Sequence, residues 1–326
     1  MPKELTHWHV AHEVLKQDLP PEVTKRIKTN RDLYFLGAIA HDIPFYDLSQ
    51  PPETRIERIG NQLHGANGEN TMFPLIEILE QALLYPEADS LVSFVLGMLT
   101  HYVADSTFHP LVYYLSGNYF DSNPGERSKA VFRHRLLETA IDLWLEAEKP
   151  LPHPQNLLFL WYKTGSRGNK ALALVIDHYA MEQDKGVSAH FKTAWRYHRI
   201  LQSAFKWSVP WRILSLYRRF GHPGVEKHEA LFYPQPINLS FLDTLFEWRH
   251  PVKGDQYSMT LGQLYSQSVE RAAKLFTELG REPLPSWPAL LRHLPPLSLD
   301  TGLPYVGVKE MRFFSADPIK IRLRLK

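Results

Sequence analysis

His101, Asp105 and His109 stand four residues apart in the run Thr100-His101-Tyr102-Val103-Ala104-Asp105-Ser106-Thr107-Phe108-His109-Pro110, and His134 precedes Glu138 by the same interval. Residues four apart on a helix have their Cβ atoms about 5–6 Å apart on one face. A histidine and a carboxylate so placed can converge on one divalent ion, with bonds of about 2.0–2.2 Å if it is zinc. His109 precedes Pro110, and the residue before a proline is biased away from α geometry. This predicts that the chain turns there and gives His109 to a different ion from the one His101 and Asp105 share. Upstream, His7, Asp42 and His64 each fall near the end or start of an apolar segment.

The spacing alone is weak evidence. With 16 His and 35 Asp+Glu in 326 residues, roughly 1.7 pairs at this helical interval are expected by chance. The chain has five: His9/Glu13, His101/Asp105, His134/Glu138, His178/Glu182 and His222/Glu226. The first, fourth and fifth read as surface or capping pairs. The other two lie in strongly apolar segments, where an inward polar pair needs a partner. There is no cysteine, which excludes a disulfide scaffold, thiolate catalysis, Fe–S clusters and Cys-ligated zinc. Any metal must sit on His, Asp and Glu.

The elements that would position these residues are helical. Residues 5–17, 72–85, 90–108, 126–147, 168–182, 186–206 and 260–279 carry apolar side chains at i, i+3, i+4, i+7 spacing. The prolines cluster between them and read as boundaries. Only the extreme C-terminus alternates with period 2, Ile319, Ile321, Leu323 and Leu325 against Lys320, Arg322, Arg324 and Lys326, which predicts a short edge strand or a basic arm. The expected fold is all-α. Lys149-Pro150-Leu151-Pro152-His153-Pro154 is the candidate linker, giving a metal-binding portion over 1–149 and a second helical portion over 150–326.

Apolar residues form 44% and charged residues 22% of the chain, values of an ordinary globular protein. Met1-Pro2-Lys3-Glu4-Leu5 has no apolar run behind its charge, and the most apolar stretch, 91–104, is shorter than the roughly 20 residues of a membrane span. The expected location is cytoplasmic. Residues 1–163 hold 14 Lys+Arg against 21 Asp+Glu, a balance of −7, whereas 164–326 hold 23 against 14, a balance of +9. A basic half suits anionic lipid or nucleic acid but is more often a solvated surface. The acidic half is what carboxylates gathered around cations would produce.

The order of these residues resembles the zinc-dependent phospholipase C family, and the secreted zinc-dependent single-strand nucleases share its all-helical, trinuclear plan. The resemblance is carried by Thr6-His7-Trp8, Leu36-Gly37-Ala38-Ile39-Ala40-His41-Asp42-Ile43-Pro44, His64-Gly65, His101-x3-Asp105-x3-His109 and His134-x3-Glu138, over about residues 3–145. It implies that Asp42, His64, His101 and Asp105 hold one zinc, and His109, His134 and Glu138 a second. His7 and a bridging Asp105 would hold a third. In the family a mature N-terminal tryptophan offers its amine and carbonyl to that third metal. Here the chain begins Met1-Pro2 and Trp8 follows the histidine, which leaves the third ion two side-chain ligands.

Two or three Zn²⁺ so held suit phosphoryl chemistry, with a metal-bound hydroxide as nucleophile and no need for Ser or Cys. The resemblance adds a general-base role for Asp42. Because ligand histidines must be neutral, activity is expected to fall in acid. The function expected is hydrolysis of a phosphodiester in a phospholipid-like substrate, with an anionic membrane surface as a further partner. A nuclease or phosphomonoesterase shares the metal plan, and Tyr46, Phe73 and Tyr102 are the aromatics that could stack on bases. A non-catalytic, metal-stabilised binding protein is the alternative of another class.

Overall fold

The computed structural model describes residues 3–48, 55–152, 156–182, 186–222 and 224–317. The fold is all-α, with one two-stranded antiparallel sheet among these residues. In chain order the helices are α1 (Glu4–Val14), α2 (Pro21–Thr29), α3 (Arg31–Gly37), α4 (Arg55–Leu63), α5 (Met72–Leu83), α6 (Ala88–Ser116), α7 (Pro124–Glu148), α8 (Leu157–Glu182), α9 (Gly186–Ala204), α10 (Ser208–Arg219), α11 (Glu226–Glu229), α12 (Leu261–Gly280) and α13 (Trp287–Arg292). Local chemistry sets several boundaries. Pro21 and Pro124 open α2 and α7, and the Asn123 side chain accepts from the Gly125 and Glu126 amides. Thr260 and Gln263 form a reciprocal capping box at α12.

The centre of the molecule is α6. Its 29 residues are long and apolar enough to cross a membrane by length and composition, yet the most apolar 18-residue window is wholly buried in protein. Helices α1, α2, α3, α5, α7 and α12 all pack on it. A helix apolar on every face belongs in a core, which is why its pattern shows no single stripe. One contiguous apolar cluster runs from Leu5 through α6 to Phe276, Trp287 and Leu299.

Three expectations change. The predicted turn at His109-Pro110 is absent, and α6 continues eight residues past 108 to Ser116. The His9 ring meets Glu146, at 3.0 Å, instead of Glu13. A hairpin not foreseen, β1 (Phe246–Arg249) paired with β2 (Gln256–Met259), stacks Trp248 on Tyr257 with ring centroids 4.5 Å apart. The strand or arm expected from Ile319 to Leu325 lies outside the described residues, as do Met1, Pro2, His153 and Pro154. The stretch after Lys149 is non-helical up to Pro152, and α8 begins at Leu157.

Candidate metal centre

Two glycines bring the first ligands together. A Cβ at Gly37 would stand 1.9 Å from the Phe94 carbonyl oxygen, and one at Gly97 2.0 Å from that of Tyr34. Only glycine lets α3 lie backbone-to-backbone on α6. That contact places the Ala38 carbonyl 2.9 Å from His101 Nδ1 and starts the 3₁₀ turn 40–46 that carries Asp42. His64, one residue past α4, donates Nδ1–H to the Gly60 carbonyl at 2.7 Å, and His109 donates Nδ1–H to Leu299 at 2.8 Å. A carbonyl only accepts, so in all three rings Nδ1 carries a proton and Nε2 is turned into the cluster.

Two clusters result. In the first, His101 Nε2 is 3.0 Å and His64 Nε2 3.3 Å from Asp105 Oδ2, and both are 3.5 Å from Asp42 Oδ1. In the second, Glu138 Oε1 is 3.0 Å from His134 Nε2 and 3.8 Å from His109 Nε2. Within each cluster the ligand atoms all lie within 4.8 Å of one another, and every residue is buried. His7 joins the first from the side: its Nε2 is 3.3 Å from Asp105 Oδ1 and 4.0 Å from Asp42 Oδ2. Asp105 thus turns one oxygen to His64 and His101 and the other to His7. His109 reaches the second cluster without any break in α6. Eight residues at about 100° each rotate it roughly 80° around the helix from His101.

Do these residues fit a divalent ion? Both oxygens of Asp105, Asp42 Oδ1, both ring nitrogens of His7, and Nε2 of His64, His101 and His109 are buried without a well-formed hydrogen bond. Such groups are costly unless a cation completes them. Electrostatics agrees. Burial opposes charge on His64, but bonds to Asp105 and Asp42 raise its pKa to about 10; His101 is likewise raised against burial, by Asp105 and Asp42. Burial also opposes charge on Asp105, yet His101, His109 and His7 hold it well below the carboxylate range. The first cluster therefore balances its carboxylates with protons that a cation would displace. Burial lowers His7 and His134 to about 4, so both rings are neutral and ready to ligate.

Several supporting residues carry no spacing signal. Asp142 on α7 accepts from Thr6 N at 2.7 Å, Thr6 Oγ1 at 2.6 Å, Leu5 N at 3.3 Å and the Tyr233 hydroxyl at 2.7 Å. It caps α1, whose own N-cap, Lys3, provides no side-chain capping bond, and so fixes His7. His41 stacks on His101 with ring centroids 4.5 Å apart, and His7 stacks on the same ring at 3.9 Å. The segment 297–303 closes over both clusters: Leu299 N donates to the His64 carbonyl at 2.8 Å, and Tyr113 donates to Asp300 at 2.9 Å beside His109. The run Leu297-Ser298-Leu299-Asp300-Thr301-Gly302-Leu303 in a distant loop gives no hint of this. His178 pairs with Glu77 at 2.8 Å, and Glu182's side chain is outside the described residues.

The family model for zinc-dependent phospholipase C matches residues 6–220, about two thirds of the chain and the whole of both clusters. No curated protein and no solved structure matches it.

Proposed function

The chain belongs to the zinc-dependent phospholipase C family, and on that premise we propose that it hydrolyses the phosphodiester of a phospholipid-like substrate, with Zn²⁺ at both clusters and a third ion held more loosely at His7 and Asp105. Family and clusters together support a metal-dependent hydrolase. The observation that carries the phosphoester reading is the pair of buried clusters of four and three metal-ligating side chains, with Asp105 turned to both His101 and His7; the lipid part of the reading rests on the family. Divalent ions bound there supply Lewis acidity toward a phosphoryl oxygen and lower the pKa of water.

The chain's own residues supply the rest. His64, His101 and His109 are locked by backbone carbonyls, so no reorganisation of ligands accompanies the reaction. Asp42 directs Oδ1 to the first cluster, and its other oxygen is the proposed acceptor for the proton of the attacking water. Stacking of nucleobases is less well supported. The Tyr46 face is covered by His198 at 3.9 Å, and Tyr102 is buried with its hydroxyl on Pro295. Phe73 is half exposed but lies beside His178.

Turnover of a phospholipid, a single-stranded oligonucleotide and a phosphomonoester, measured side by side at saturating zinc, tests the reading. Lipid turnover is expected to dominate, and His134→Ala to abolish it while helicity is kept, because two ligands hold an ion far more weakly than three. Preferred cleavage of either other substrate would replace the proposal, and a wild-type chain that binds zinc but turns over none of them would make it a binding protein.

A further inference from the structure

Helix α10 is amphipathic the wrong way round for a core helix. Val209, Ile213, Leu216 and Phe220 recur at i, i+4, i+7 and i+11, the spacing of one helical face. All four, with Trp207 and Tyr217, are more than half exposed. The opposite face is the one that packs: Ser215 is buried, and Arg218 pairs inward with Glu229 on α11. Single exposed apolar residues are ordinary, but a stripe of four large ones, with Trp207 before it and Tyr217 at its side, is an interaction surface.

The charge around the stripe selects the partner. Residues 206–222 contain Lys206, Arg212, Arg218 and Arg219 and no Asp or Glu. Arg212 and Arg219 are exposed on one flank of the stripe, and among the described residues neither makes an ion pair with a carboxylate. An apolar face with Trp, Tyr and Phe, edged by arginine, is the composition of a helix lying in a lipid interface. A second copy of the same face would bring like charges together. We propose that α10 is an interfacial helix that docks the protein on an anionic bilayer.

The position of α10 suits a lipid substrate. It packs on α11, which packs on α7 beside the second cluster: Arg135 donates to the Lys227 carbonyl at 3.1 Å and Thr139 to that of Ala230 at 2.7 Å, next to His134 and Glu138. Helix α10 is therefore one short element away from the helix that carries His134 and Glu138, with its exposed face turned outward. The inference rests on the phospholipid reading for its purpose, not for its surface.

The test is cosedimentation with vesicles of phosphatidylcholine with and without phosphatidylglycerol, at low and high salt, for wild type, Ile213→Gln/Leu216→Gln/Phe220→Gln and Arg212→Gln/Arg219→Gln. Far-UV circular dichroism and melting confirm folding. Wild type is expected to bind anionic vesicles, the apolar variant to lose on the order of tenfold or more in affinity, and the arginine variant to lose the salt-sensitive part. Lys25→Gln/Lys28→Gln on α2 should bind as wild type. Turnover separates the two proposals. If both hold, the apolar variant loses bilayer hydrolysis but keeps that of a monomeric short-chain phosphodiester. If only the surface is right, vesicle binding falls with no lipid turnover by any variant. Wild type that ignores anionic vesicles, variants that bind like wild type, or a wild-type dimer abolished in the apolar variant would overturn the lipid assignment.

Discussion

Asp105 is the residue on which most of the centre depends. Its Oδ2 serves His64 and His101, its Oδ1 faces His7, and it is wholly buried. His7 contributes to one place only, where it meets Asp105 and stands 4.0 Å from Asp42. Asp105→Asn keeps the shape but replaces one anionic oxygen by a donor amide, so it weakens the first cluster and the side site together. His7→Ala leaves the four residues of the first cluster and the three of the second in place. After dialysis against a mild chelator, wild type is expected to retain two ions. Asp105→Asn should retain fewer and lose more activity than His7→Ala. Metal analysis beside turnover decides it. Three equally tenacious ions in wild type would mean that a further ligand completes the side site.

Helices set the ligands, but a loop sets one of their rings. Pro110 has no N–H to give the Ser106 carbonyl, four residues back in α6. Gly302, at φ +67°, approaches that same carbonyl, and a Cβ on it would stand 2.6 Å away. This close seat brings Leu299 onto His109 Nδ1. Gly302→Ala adds both a left-handed non-glycine residue and a clash, a cost of about 1–3 kcal/mol. Because the loop then withdraws its carbonyl from His109, the second cluster should release its ion before the first. Stepwise chelation followed by metal analysis and melting reads this; a variant that holds both ions as wild type does would show that the loop only covers the site. That His101 meets Asp105 and His134 meets Glu138, and where the long core helices lie, was legible because period 3.6 and His-x3-acid pairs are local patterns. The Leu299 carbonyl was not, since any residue provides one. Helix α10 was not legible as a surface element, because its apolar residues keep the same 3.6 period as a core helix and spacing does not say which way a stripe faces, and the four-residue strands of the hairpin are too short for alternation to register.

Across the whole molecule, the centre joins parts of the chain that are far apart in sequence. α1, the turn at Asp42, α4, α6, α7 and the loop at Leu299 all converge there, and the apolar cluster extends without interruption from Leu5 to Leu299. Tyr265 on α12 donates to the His9 carbonyl at 3.2 Å, and His198 on α9 meets Glu4 at 3.0 Å. Elements on both sides of residue 150 therefore share contacts that would have to break together. We expect thermal unfolding as one transition, with limited proteolysis near residues 149–157 leaving the two pieces associated under native conditions. Ions that bind only the folded chain stabilise it by mass action, about 4 kcal/mol when free metal is a thousandfold above Kd. Chelation should accordingly lower the Tm of the entire chain, followed both by near-ultraviolet signals from its tryptophans and by calorimetry, and added zinc should restore it. Two transitions, of which chelator moves only the first, would divide the molecule into a metal-bearing unit and an independent second one.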